Sequence, residues 1–414
     1  MASLLIKDIG KISGLHTVET RLLRGKELAH FPCLDDAWLL CEGERIHSFG
    51  LMSALPANLP NDVQVISAGG GYVFPSWCDS HTHIVYAAPR EEEFVMKIQG
   101  KSYEEIAGAG GGILNSAVKM ASADENELFE SAAGRLRDMI RQGTGALEIK
   151  SGYGLSLESE LKMLRVIHRL KENFPIPIKA SFLAAHTYPA AFKNNHQGYI
   201  RQIIEEMLPE VADQGLADYM DVFCENGFFS PEETGQLLTA AAKFGLKPKI
   251  HANQLAVSGG VQVGIEHQAL SVDHLEALDH AAIDCLRNSD TIATLLPSCS
   301  FYLNIPYADA RGLLEANVPV ALASDYNPGS TPSGNMNLVV SLACLKLKML
   351  PEEAFNAATI NGAAALELSS EIGSITPGKR ANFFITRPMP SLAFLPYSFG
   401  QSQIKTIVLN GKVW

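Results

Sequence analysis

Cysteine is scarce and scattered in this chain of 414 residues: there are seven, at 33, 41, 78, 224, 285, 299 and 344, with no CxxC pair among them. An odd, dispersed set argues against a disulfide framework and a cysteine-built zinc site, and fits a reducing, cytoplasmic setting. Long apolar runs are missing too. None reaches the roughly 18 residues of a membrane span, and the opening MASLLIKDIGKISG lacks the basic stretch and apolar core of a secretory signal. Positive charge is in deficit: 33 Lys and Arg stand against 45 Asp and Glu, a formal net charge of -12. That balance argues against a nucleic-acid surface. It leaves an anionic small molecule open as substrate, because local charge decides that. The 47% hydrophobic and 19% charged residues describe an ordinary globular chain, long enough for one large domain and a smaller one.

The most informative stretch is residues 74–83, FPSWCDSHTH, where an apolar start runs into His81-Thr82-His83. In an extended chain, residues i and i+2 share a face, so both imidazoles project into one space with Thr82 turned away. Two neutral imidazoles at that spacing make half of a divalent metal site. Alone, the motif is read as readily as two polar residues ending a buried strand.

The two ends of the chain resemble each other. Residues 38–49 form a candidate hairpin around Glu42-Gly43-Glu44, and 63–67 a further strand. Near the C-terminus, 382–386 follows the turn Pro377-Gly378-Lys379, and 404–414 reads as two strands around Asn410-Gly411, a strong hairpin signal. One small β-sandwich domain built from both termini, residues 1–73 with 373–414, is the expectation. The middle alternates. Short apolar runs at 73–78, 146–150, 178–185, 220–225, 249–252, 270–274, 291–297 and 319–324 are separated mostly by helical pattern, as in 156–173, where Leu157, Leu161, Leu164 and His168 share a face. Eight such strands predict an α/β fold, a (β/α)8 TIM-like barrel over residues 74–372, in preference to an open doubly wound sheet.

Chemistry in such a barrel gathers at the C-terminal strand ends. There lie His81 and His83 (first strand), Lys150 (second), His186 (third), Glu225 (fourth), His251 (fifth), His274 (sixth) and Asp325 (eighth), so five of the twelve histidines fall at strand ends. His81, His83, His251 and Asp325 together offer three imidazoles and a carboxylate, a set suited to zinc or iron with a coordination place left for water. Asp325 could also accept a proton from that water, and His274 could hydrogen-bond the water or a developing oxyanion. Against this, SDYNPGS around Asp325 is also a good turn sequence. The glycine run 108–112 lacks the Gly-Lys-Ser/Thr ending of a phosphate loop and reads better as a mobile loop near the barrel mouth.

These positions resemble the amidohydrolase superfamily, whose members hydrolyse amide, amidine or ring C–N bonds. Some members carry two metals bridged by a carboxylated lysine on the fourth strand. Here that strand reads DVFCE, with no lysine, so one zinc or one iron per chain is implied, with Lys150 a structural or supporting group. Longer segments, among them HTHIVYAAPREEEF, KSYEEIAGAGGGIL, LEIKSGYGLSLESELKMLR, FLAAHTYP, HANQLAVSGG and ALASDYNPGSTP, are similar to the imidazolonepropionase family of histidine degradation. That family opens the ring of 4-imidazolone-5-propanoate with water to give N-formimidoyl-L-glutamate.

The resemblance implies metal ligands at His81, His83, His251 and Asp325, and substrate contacts at Arg90, Tyr153, His186, Gln254, Asn327, Gly329 and Ser330. In the mechanism expected, Asp325 or His274 receives the proton of the attacking water and returns it to the leaving ring nitrogen. A guanidinium suits the propanoate carboxylate, although Arg90 alone could be a surface residue paired with Glu91, Glu92 or Glu93. Backbone N–H groups of the turn after Asp325 could cradle a carboxylate. Ser330-Thr331 stands where much of the family has Thr-Ser, which leaves open which hydroxyl makes the contact. A homodimer is implied as well. Two other readings share these residues: a nucleobase deaminase with the same metal set, and a non-catalytic barrel with a closed structural zinc site.

Overall fold

The computed structural model describes residues 3–59, 62–101, 105, 111–399 and 401–414. Eight parallel strands form the central sheet: β1 (Trp77–Asp79), β2 (Thr144–Lys150), β3 (Ile178–Ala185), β4 (Tyr219–Cys224), β5 (Lys247–Ala252), β6 (Ser271–His274), β7 (Ile292–Leu295) and β8 (Val320–Leu322). They pair in sequence order, with helices between successive strands. The helices begin where the sequence supplies caps. Ser156 accepts the Ser159 N–H ahead of helix Leu157–Asn173, and Ser230 with Glu233 closes a capping box ahead of helix Pro231–Ala242.

Between β8 and β1 the ladder is replaced by contacts just past the strand ends. Ser324 donates its N–H and hydroxyl to the Asp79 carboxylate at 2.9 and 2.6 Å. The Asp325 N–H reaches the His81 carbonyl at 3.0 Å, and the His83 N–H reaches the Tyr326 carbonyl at 2.8 Å. The residues that close the barrel are therefore those that carry His81, His83 and Asp325. Burial pushes the Asp79 carboxyl up to about 7.

The termini meet in one mixed sheet. Strand Ser3–Ser13 pairs antiparallel with Cys33–Glu42 and parallel with Val63–Ser67 and Tyr72–Pro75, which in turn pairs with Phe383–Thr386. Cys33–Glu42 and Arg45–Leu51 form the hairpin around Gly43, and Ile404–Leu409 turns through Asn410-Gly411 into Lys412–Val413. The apolar run read as one first strand is thus two. Tyr72–Pro75 ladders with the terminal sheet, Ser76 donates its N–H to Asn382, and Trp77–Asp79 enters the barrel. An aromatic cluster packs the join, with Phe74 5.5 Å from Phe384 and 5.3 Å from Phe355, and Trp77 5.1 Å from Phe384. Among the described residues, no helix is long and apolar enough to cross a membrane.

Candidate active site

Three imidazoles converge at the C-terminal ends of two strands, His81 and His83 just past β1 and His251 as the next-to-last residue of β5. His83 Nε2 lies 3.3 Å from His81 Nε2 and 3.4 Å from His251 Nε2, while Asp325 Oδ1 lies 3.6 and 3.7 Å from the Nε2 atoms of His81 and His83. The far side of each ring explains the convergence. His81 Nδ1 sits 2.7 Å from Asp273 Oδ2, and His251 Nδ1 sits 3.0 Å from Asp221 Oδ1. A carboxylate only accepts, so each Nδ1 carries the proton and each Nε2 turns a lone pair to the centre. Among the described residues, the buried His83 Nδ1 has no hydrogen-bond partner, and the ring is held by contact with His186, 5.5 Å away.

Both aspartates are served by one ammonium. Lys150 Nζ donates to Asp221 Oδ2 at 2.6 Å, lies 3.6 Å from Asp273 Oδ2 and pairs with Glu148, which in turn receives Lys249. Burial opposes the Asp221 charge, but His251 and Lys150 more than offset it, and the carboxyl is held well below its usual range. Burial keeps His81 and His83 well below the ordinary imidazole range, hence neutral. The donor set fits a divalent cation: ligand atoms of His81, His83 and His251 lie within 4.8 Å of one another, as do those of His81, His274 and Asp325.

His274 and Asp325 face this centre from strained backbone. His274 has φ +88° and Asp325 φ +54°, conformations non-glycine residues adopt only where the surroundings impose them. Burial lowers the basicity of His274, but Glu276, 3.4 Å from its Nδ1, outweighs that and raises it. Burial raises the Asp325 carboxyl.

The expected substrate contacts, Arg90, Tyr153, His186, Gln254, Asn327, Gly329 and Ser330, line one cavity of about 400 Å³ with His83, His251, His274 and Asp325, while Lys150 and Glu225 do not line it. Arg90 reaches it paired with Glu93, through Nε at 2.7 Å. Tyr153 sits on the loop after β2, whose Gly152, Gly154 and Leu155 N–H groups all donate to the buried Glu160 carboxylate at 3.1, 2.7 and 2.8 Å. His186 bonds through Nδ1 to the Gly152 carbonyl at 3.0 Å. That bond uses the Nδ1 proton, which leaves Nε2 an acceptor; burial lowers the ring to about 3. Gln254 contacts Cys299 Sγ, and its loop is anchored where Glu225 accepts the Leu255 N–H at 2.9 Å.

The turn after Asp325 differs from the cradle expected. Asn327 Oδ1 accepts the N–H groups of both Gly329 and Ser330 at 2.8 Å, so they close the turn and do not point at a ligand. The Ser330 hydroxyl donates to Asp325 Oδ2 at 3.1 Å. The segment is a hydrogen-bonded turn that also sets the Asp325 carboxylate beside the rings of His81 and His83. Of the glycine run, Gly108 to Gly110 lie outside the described residues, and Gly112 lines the cavity with its N–H on Glu93. Sequence reading missed Asp221, Asp273, Glu148, Lys249 and Glu276 as parts of the site, and Glu93 and Lys97 on the cavity wall.

Residues 72–414 match the model of the amidohydrolase family. An imidazolonepropionase of Christiangramia forsetii is 53% identical over 99% of this chain and 100% of its own length. That decides the family. The chain belongs to the imidazolonepropionases, within the amidohydrolases, and is a hydrolase. A second relative, from Flavobacterium johnsoniae, is 52% identical over 99% of both chains. In solved structures the fold recurs at far lower identity: guanine deaminase of E. coli has a TM-score of 0.76 at 15% identity, covering 99% of this chain and 98% of its own.

Proposed function

We propose that this enzyme hydrolyses the ring amide C–N bond of 4-imidazolone-5-propanoate to N-formimidoyl-L-glutamate, a step of L-histidine catabolism. The observation that carries the reading is the meeting, in one cavity, of an Arg90-bearing wall and a triple-imidazole centre with Asp325 and His274 beside it. His81, His83, His251 and Asp325 would hold one zinc or iron ion, which supplies acidification of water and polarisation of the lactam carbonyl when bound. Arg90 and Tyr153 orient the substrate through its carboxylate and ring. Asp325, whose basicity burial raises, takes a proton from the attacking water and returns it to the departing ring nitrogen. His274, held by Glu276, donates a hydrogen bond to the oxygen on which charge develops.

The same reading assigns the chain a barrel, 74–372, a composite β domain, 1–73 with 373–414, a homodimeric state and a cytoplasmic location. The test is turnover of freshly generated imidazolone propanoate, followed by ultraviolet loss of the ring, with metal assayed on the same sample and mass in solution measured. Deamination of guanine or cytosine with no turnover of the imidazolone would replace this substrate with a nucleobase.

A further inference from the structure

Helix Glu91–Ile98 and its N-cap send three charged side chains to the cavity: Arg90, Glu93 and Lys97, spaced i, i+3 and i+7 along one face. Glu93 holds Arg90 by a two-pronged ion pair, at 2.7 and 2.5 Å, and also accepts the Gly112 N–H at 2.9 Å. Arg90 and Glu93 together carry no net charge. They offer geometry to an incoming carboxylate but leave its charge uncompensated on a wall where Glu93 is buried and Lys97 half-buried, which is costly.

The compensating charge lies alongside. Lys97 is half-buried and donates from Nζ to the Gly329 carbonyl at 2.9 Å. Gly329 is itself packed against Arg90, so that a Cβ there would overlap the guanidinium. Lys97 and Arg90 thus flank the same residue on the same wall, and Arg90, Glu93 and Lys97 sum to one positive charge.

We propose that Lys97 is the specificity-determining cation of this cavity, supplying the net charge with which the Arg90–Glu93 pair receives a substrate carboxylate in preference to a neutral amide. The inference rests on the ring-opening reading for the substrate but is tested apart from it. Calorimetric binding of imidazole-4-propanoate and of imidazole-4-propanamide needs no turnover. Lys97→Met and Lys97→Gln should weaken the propanoate by roughly 10- to 100-fold, the range of a charge-assisted contact, with the propanamide unmoved. With the imidazolone substrate, the loss should fall on KM and leave kcat within about threefold.

Lys97→Arg should retain binding, and adding Glu93→Gln to Lys97→Met should recover most of it by restoring the single positive charge. A merely structural Lys97, bracing Gly329, would weaken both ligands and gain nothing from Glu93→Gln. Equal losses for the two ligands, no loss, or no recovery would each overturn the assignment. Charge-selective binding without wild-type turnover would uphold it and remove the ring-opening reading alone.

Discussion

The floor and the rim of the cavity are held by different means. On the floor, Glu148, Lys150, Asp221, Lys249 and Asp273 are fully buried and pair with one another, with Ser80, Ser181 and Ser271 completing a closed network that ends on the rings of His81 and His251. On the rim, Arg90, Tyr153 and Gln254 sit on a helix end or on loops, and a different carboxylate anchors each segment: Glu93, Glu160 and Glu225. A closed buried network tolerates no vacancy, because every lost partner strands a charge. Segments anchored by separate carboxylates can be altered one at a time. On the proposed function, the floor would fix what reaction the barrel supports, and the rim what it acts on.

Breaking the floor should cost most. His251→Ala should take turnover to background and strip the metal, read by metal analysis of the purified protein. Lys150→Met is the sharper case, since Lys150 contacts no ligand ring directly. It leaves Asp221 and Asp273 uncompensated and should lower unfolding stability by about 3–5 kcal/mol. Metal affinity should fall by roughly 10- to 100-fold, the cost of losing support behind a ligand. Chelator titration and denaturant melts measure the two effects, and a wild-type affinity in Lys150→Met would show that the aspartates orient the rings unaided.

The rim should yield smaller, substrate-specific losses. Arg90→Met should cost about 2–5 kcal/mol in kcat/KM, mostly through KM, with metal content unchanged. Loss of metal in this variant would erase the distinction between the two regions.

Much of the floor was legible because strand ends are where a barrel places its chemistry and histidines concentrate there. Its supporting layer was not, although a signal existed. Lys249 stands two before His251 and Glu148 two before Lys150, so both share the inward face of their strands with a residue already singled out. Asp221 and Asp273 sit inside apolar runs, where a buried charge demands a partner that one strand's sequence cannot name. The change of sheet at Ser76 was invisible for another reason: residues 72–79 are buried throughout, so hydrophobic pattern is the same on both sides of the break. On the rim, Glu93 and Lys97 looked like any solvated helix face.

Glu160 gives the smallest and most discriminating test. It lies in the first turn of helix Leu157–Asn173, four residues after the capping Ser156, yet its carboxylate turns back to gather three N–H groups of the Tyr153 loop. Glu160→Gln keeps the volume and one acceptor oxygen but sets an amide donor against N–H groups that need an acceptor. That should cost about 1–3 kcal/mol of stability. Tyr153 and His186, which leans on the Gly152 carbonyl, would lose their fixed positions together. KM should then rise several-fold, while metal content stays at the wild-type value because no floor residue touches this loop's carboxylate. A drop in metal content instead would mean that His186, through its ring contact with His83, ties the rim to the floor.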